Sequence, residues 1–73
     1  MKYITSDPAI LSGMPVIVGT RVPVARILSL LKEGYLLEEI QSQFDHISIT
    51  TLEGALEEAA TIINNTLHGS HIV

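Results

Sequence analysis

Gly19-Thr20-Arg21 is the run in this sequence best suited to making a specific contact. Glycine permits an unusual backbone conformation, the threonine hydroxyl can satisfy local backbone groups, and arginine offers a planar bidentate fork. The run therefore either fixes a junction, with Arg21 paired to a carboxylate of its own or a sister subunit, or presents Arg21 to a phosphate or an acidic partner surface. Gly13 to Thr20 superficially looks like a phosphate-binding loop. Its glycine spacing is one residue too long, and Gly-Thr-Arg stands where Gly-Lys-Ser/Thr is required, which argues against nucleotide binding. His68-x-x-His71 has helical ligand spacing but no third Cys, Asp or Glu nearby, whereas zinc sites need three or four protein ligands. Ser48, close to His46, lacks an oriented third group, and helix capping already accounts for it. No catalytic residue, cofactor or metal is expected.

Charge supplies the second candidate chemistry. The chain carries four Lys or Arg and eight Asp or Glu, for a net charge of -4. All four cations, Lys2, Arg21, Arg26 and Lys32, lie in residues 1–32 with only Asp7 against them, which makes that half +3. From Glu33 onward Glu33, Glu38, Glu39, Asp45, Glu53, Glu57 and Glu58 stand without a Lys or Arg, a balance of -7. A two-signed chain suggests a partner or a second copy of itself. Glu53, Glu57 and Glu58 form a candidate partner-binding acidic face, with an ordinary solvated surface as the competing reading. DNA binding would have to use Lys2, Arg21, Arg26 or Lys32, because phosphate contacts come chiefly from Lys and Arg and the last helix has neither.

These groups must be positioned by a small scaffold. With 73 residues, 47% apolar content and no cysteine, the sequence describes one domain too short for a second core. Such a domain buries only about 60% of the surface its unfolded chain exposes, so oligomerisation, most simply a homodimer, is expected. The absence of cysteine fits a reducing cytoplasm. Neither a signal-peptide core nor the roughly 18 apolar residues of a membrane span is present, so no membrane association is expected.

Pro15-Val16-Ile17-Val18, between Gly13 and Gly19, predicts a strand, with Tyr3-Ile4-Thr5 as its partner candidate. Two such strands are marginal in isolation, and pairing with a second chain would complete them. Pro23 fits the first turn of a helix running to about Glu33, with Val24, Ile27, Leu28 and Leu31 on one face and Gly34 as its stop. A short helix comes next, over about Leu37 to Phe44, burying Leu37, Ile40 and Phe44. Ser48, or a Thr50/Glu53 capping box, then starts a last helix to about Asn65 with Ile49, Leu52, Leu56, Ala59 and Ile63 in one stripe. The expected fold is mainly α, a short N-terminal β arm over 1–19 followed by a three-helix, helix-turn-helix bundle over 20–66. Residues 67–73 are expected to form a flexible tail.

Asp7-Pro8, the run Gly13-Met14-Pro15-Val16-Ile17-Val18-Gly19-Thr20-Arg21-Val22-Pro23-Val24, then Leu31, Gly34, Glu39-Ile40 and Ala55-Leu56 with Ala59 resemble the domain-of-unknown-function family four-three-three, across roughly residues 4 to 63. The resemblance implies a homeodomain-like arrangement of the three helices, no enzymatic activity, and a role as the antitoxin-like partner of a PIN-like nuclease toxin. Gly13, Pro15, Gly19, Thr20, Pro23 and Gly34 are then structural motif positions. The sequence departs from the family pattern at Met14, Leu36-Leu37, Asp45 and Gly54. Leu36 removes a side-chain cap, and a mid-helix Gly54 should cost roughly 1 kcal/mol against alanine. The expected function is neutralisation of a PIN-like ribonuclease, with operator DNA as a possible second ligand. A stand-alone dimeric helix-turn-helix regulator and a self-associating structural protein are the alternatives.

Overall fold

The computed structural model describes residues 2–70, with side-chain surroundings through Asn65. Strand β1 (Ile4–Thr5) pairs antiparallel with β2 (Val16–Ile17), Ile4 opposite Ile17 and Thr5 opposite Val16. The opposite edge of β2 is also engaged, through an antiparallel bridge from Val16 to Pro23 and an Ile17 N–H donated to the Val22 carbonyl at 2.9 Å. Val16 and Ile17 are consequently fully buried. Pro15 falls just outside the strand, where its carbonyl accepts the Val24 N–H at 3.0 Å and ties the next helix to the sheet. Within the chain, the marginal arm packs on the last helix.

Helix α1 (Val24–Lys32) has Pro23 as its N-cap, one place before the expected first-turn position. The predicted apolar face is rotated. Val24, Ile27 and Leu30 are buried, Leu31 is half-buried, and Leu28 stands 38% exposed. Leu28 faces a surface groove instead of the core. The helix stops at Gly34, whose φ of +102° suits glycine. Its N–H donates to Leu31 and that of Tyr35 to Leu30, the paired bonds of a Schellman motif.

Helix α2 (Leu37–Gln43) begins without an acceptor from Leu36, as its alkyl side chain requires. Glu39 compensates by reaching back to accept the Leu36 N–H at 2.7 Å. Phe44 closes the helix as C-cap, half-buried beside the core. In the following turn Ile47 enters the core at 3% exposure, and its carbonyl accepts from Gln41 Nε2 at 3.1 Å. Helix α3 (Ile49–Ser70) is capped by Ser48, whose Oγ accepts the Thr51 N–H at 3.1 Å, so Thr50 lies inside the helix rather than at its cap. Leu52, Ala55 and Ala59 are buried, Ile49 and Leu56 are half-buried, and Ile63, expected on the same stripe, is 52% exposed because α3 outruns the body it packs on. The helix extends to Ser70 rather than ending near Asn65. The expected tail at 67–73 overlaps its last turn, and His71, Ile72 and Val73 lie outside the described residues.

The architecture is three helices behind a two-stranded sheet, a small mainly-α fold. Its core joins Ile17, Ile27, Ile40 and Leu52, one fully buried residue from the arm and one from each helix. No helix is long and apolar enough to cross a membrane among the described residues.

Candidate functional site

The Gly19–Arg21 turn is built as its residue types require. Gly19 sits at φ +74°, a conformation costly to residues with a Cβ. Thr20 locks the segment around it: its N–H and Oγ1 both donate to the Ile17 carbonyl, at 3.0 and 2.8 Å, while Oγ1 accepts the Val22 N–H at 3.0 Å. The backbone on both sides of Arg21 is therefore fixed, and Arg21 itself is exposed. The rigid backbone fixes where the Arg21 side chain starts, and its exposed guanidinium is a donor available to a carboxylate or phosphate.

The four cations do not form one patch. Arg26 is exposed in the first turn of α1, close in sequence to Arg21, and Lys32 is exposed in the last. Six residues of helix separate them by about 9 Å along the axis and about 240° around it, which turns them to different faces. Lys2 follows on from the β1–β2 pairing at its Gly19 end, where the Val18 N–H donates to the Tyr3 carbonyl at 2.9 Å, and its Nζ lies 5.3 Å from the centroid of the Tyr3 ring.

The acidic face divides as well. Glu53 and Glu57 are exposed four residues apart on one face of α3. Glu58 is not part of that surface. Its carboxylate accepts the backbone N–H groups of Lys2 at 3.0 Å, Tyr3 at 2.8 and 3.0 Å, and Ile4 at 3.0 Å, and so clasps the arm onto α3. Beside the clasp, Gly54 is buried under the Tyr3 ring. A Cβ at this position would overlap the ring, with Cγ only 2.8 Å away. Tyr3, Gly54 and Glu58 thus form one fastening that charge and motif reading missed. The signal available was the isolated glycine within a helical pattern, which usually has a packing reason.

His46 is exposed, and Ser48 is occupied as a cap, its hydroxyl also donating to Thr51 Oγ1 at 2.9 Å. Among the described residues no group of three or more His, Cys, Asp or Glu could hold a metal ion. Of the His68/His71 pair, His71 and the side chain of His68 lie outside the described part of the chain.

An apolar groove of about 590 Å³ lies between the arm, α1 and α3, lined by Ile4, Met14, Val24, Leu28, Ile62 and Ile63 among others. Among the described residues no charged side chain lines it.

Compared with known proteins, residues 4–59 match the family model described as "Protein of unknown function (DUF433)". The match covers well over half of the chain, which therefore belongs to that family. No curated protein and no solved structure matches it.

Proposed function

We propose that this DUF433 chain is an antitoxin-like binding protein that neutralises a PIN-like ribonuclease, acts as a homodimer in the cytoplasm, and contacts operator DNA as a secondary ligand. The observation that carries this reading is Arg21, exposed beside a backbone that Thr20 holds with three hydrogen bonds. A nuclease of this class presents a carboxylate-lined metal site, for which an exposed guanidinium on a fixed backbone is the complementary group. Glu53 and Glu57 support the second half of the contact. Exposed on one face of α3, they can meet the basic approach such a nuclease offers RNA. Glu58, fastened to the arm, is withdrawn from that role.

Operator binding is the weaker component, since α3 shows exposed Thr50, Glu53 and Glu57 in its leading turns and none of the bidentate base-reading cations. Lys2, Arg21, Arg26 and Lys32 are left to contact phosphates, with Arg26 and Lys32 on different faces of α1. Co-expression with the adjacent open reading frame and purification through a single tag tests the main reading. A nuclease-sized chain that co-elutes in inactive form is the expected result. Absence of any nuclease partner would overturn it.

A further inference from the structure

We propose that two copies of this chain exchange their arms, the Lys2–Ile4 segment of each docking on α3 and β2 of the other. The exchange gives the homodimer of the function above its contact, and rests on that reading only for the existence of a dimer.

The cradle that receives the arm selects the occupant. The Glu58 carboxylate accepts the consecutive N–H groups of Lys2, Tyr3 and Ile4, and the Tyr3 carbonyl accepts the Val18 N–H at 2.9 Å. The Tyr3 ring covers Gly54, where a Cβ would overlap it, and Ile4 is buried opposite Ile17. Carboxylate, glycine notch and strand edge are matched together by this arm, and a second copy offers the identical arm.

The loop between arm and body favours the exchange. From Thr5 to Pro15 no residue is buried. The loop bonds are short-range: the Ala9 N–H donates to Asp7 Oδ1 at 2.9 Å and the Ile10 N–H to the Asp7 carbonyl at 2.8 Å, while Gly13 and Met14 donate to the Ile10 and Leu11 carbonyls at 3.0 and 3.1 Å. To bring β1 back along β2 the loop passes through a left-handed turn, with Leu11 at φ +49° and Ser12 at φ +56° before Gly13 at +86°. Two successive residues with a Cβ are strained there, because the Cβ crowds the following carbonyl oxygen. Leu11 gains no burial in return, standing 50% exposed.

A strained hinge with few contacts is the condition under which a chain swaps an element. Opening the loop removes the left-handed turn and gives up short-range bonds that water can replace. Each contact of the arm with α3 and β2 is remade on the partner, so the docking itself costs nothing. Residues 6–15, once extended, span up to roughly 35 Å, enough to carry the arm to an adjacent body.

The test pairs Gly54→Ala, whose Cβ meets the ring, with Tyr3→Ala, which lacks the ring. In an exchanged dimer of one chain of each, the arm without a ring docks on the filled notch, and an intact Tyr3 meets an intact Gly54 in the other half. The two full-length chains, differently tagged, are unfolded together, refolded at micromolar concentration and compared with each alone by native mass spectrometry and thermal melting. Wild type is expected at twice 7.9 kDa. In the mixture the heterodimer is expected to be favoured at least about tenfold over random pairing and to melt above both parents. Where either parent fails to fold alone, rescue on joint refolding is the expected result. Without exchange each chain keeps its own mismatch, and the mixture behaves as the sum of its parents. That outcome, or a monomeric wild type, would overturn the proposal. Leu11→Gly with Ser12→Gly relieves the turn and leaves arm and cradle intact, so it is expected to raise the dimer dissociation constant at least about tenfold. A dimer as tight as wild type would likewise contradict the exchange. No nuclease enters these measurements, so absence of that partner leaves their outcome unchanged.

Discussion

Glu58 carries more structural responsibility than its surface neighbours on α3. One carboxylate receiving three consecutive backbone N–H groups replaces water for a strand too short to hold itself, and hydrogen bonds to a charged acceptor are the stronger kind. Glu58→Ala should lower unfolding stability by about 2 kcal/mol in urea titration, with faster amide exchange at Tyr3 and Ile4. Glu53→Gln and Glu57→Gln should stay within about 0.5 kcal/mol of wild type, as expected of exposed positions without such partners. Equal effects at all three positions would contradict the division of the acidic face. Thr20 behaves as its chemistry suggests, but from sequence the turn could equally have tied Arg21 to a carboxylate or left it free. The geometry leaves Arg21 exposed.

Among the elements, α3 shows where local rules yield to packing. Glycine within a helix is unfavourable by about 1 kcal/mol relative to alanine, so propensity alone predicts that Gly54→Ala stabilises the chain. The Tyr3 ring reverses the sign. With Cβ driven into the ring, Gly54→Ala should destabilise by about 1–3 kcal/mol, the range of overpacked cores. In a Tyr3→Ala background, where the overlap is gone, the same substitution should be neutral or stabilising in a denaturation cycle. A stabilising effect in the wild-type background would refute this account of the fastening. Much of the remaining element structure is legible in the sequence, because it is written in short-range chemistry: a proline before α1, Gly34 after it, Ser48 before α3, and a β-branched run at β2. The departures share one cause. Periodicity turns Leu28 and Ile63 inward because it reports a face, not where the neighbouring elements end. Long-range fastening between Tyr3 and α3 leaves no periodic trace.

At the scale of the whole molecule, the charge asymmetry between the halves of the chain becomes a set of separate features. Arg21 and Arg26 lie near the start of α1, Lys32 at its far end, Lys2 over an aromatic ring, and Glu53 with Glu57 on α3. Sequence could list these groups but could not reveal which were already engaged, since that depends on contacts between residues more than fifty positions apart. What survives as candidate contact surface is one exposed arginine on a fixed backbone, two carboxylates and an apolar groove. The central claim is that Arg21 engages and silences a nuclease partner. Its most direct measurement is RNA cleavage by the nuclease the proposal expects in the adjacent open reading frame, titrated with wild-type chain and with Arg21→Ala of unchanged stability. Wild type should abolish cleavage near stoichiometry, while Arg21→Ala should require at least about tenfold more protein, a loss of about 1.4 kcal/mol or more in binding. Full inhibition by Arg21→Ala at the wild-type ratio, or no inhibition by either chain, would contradict the account.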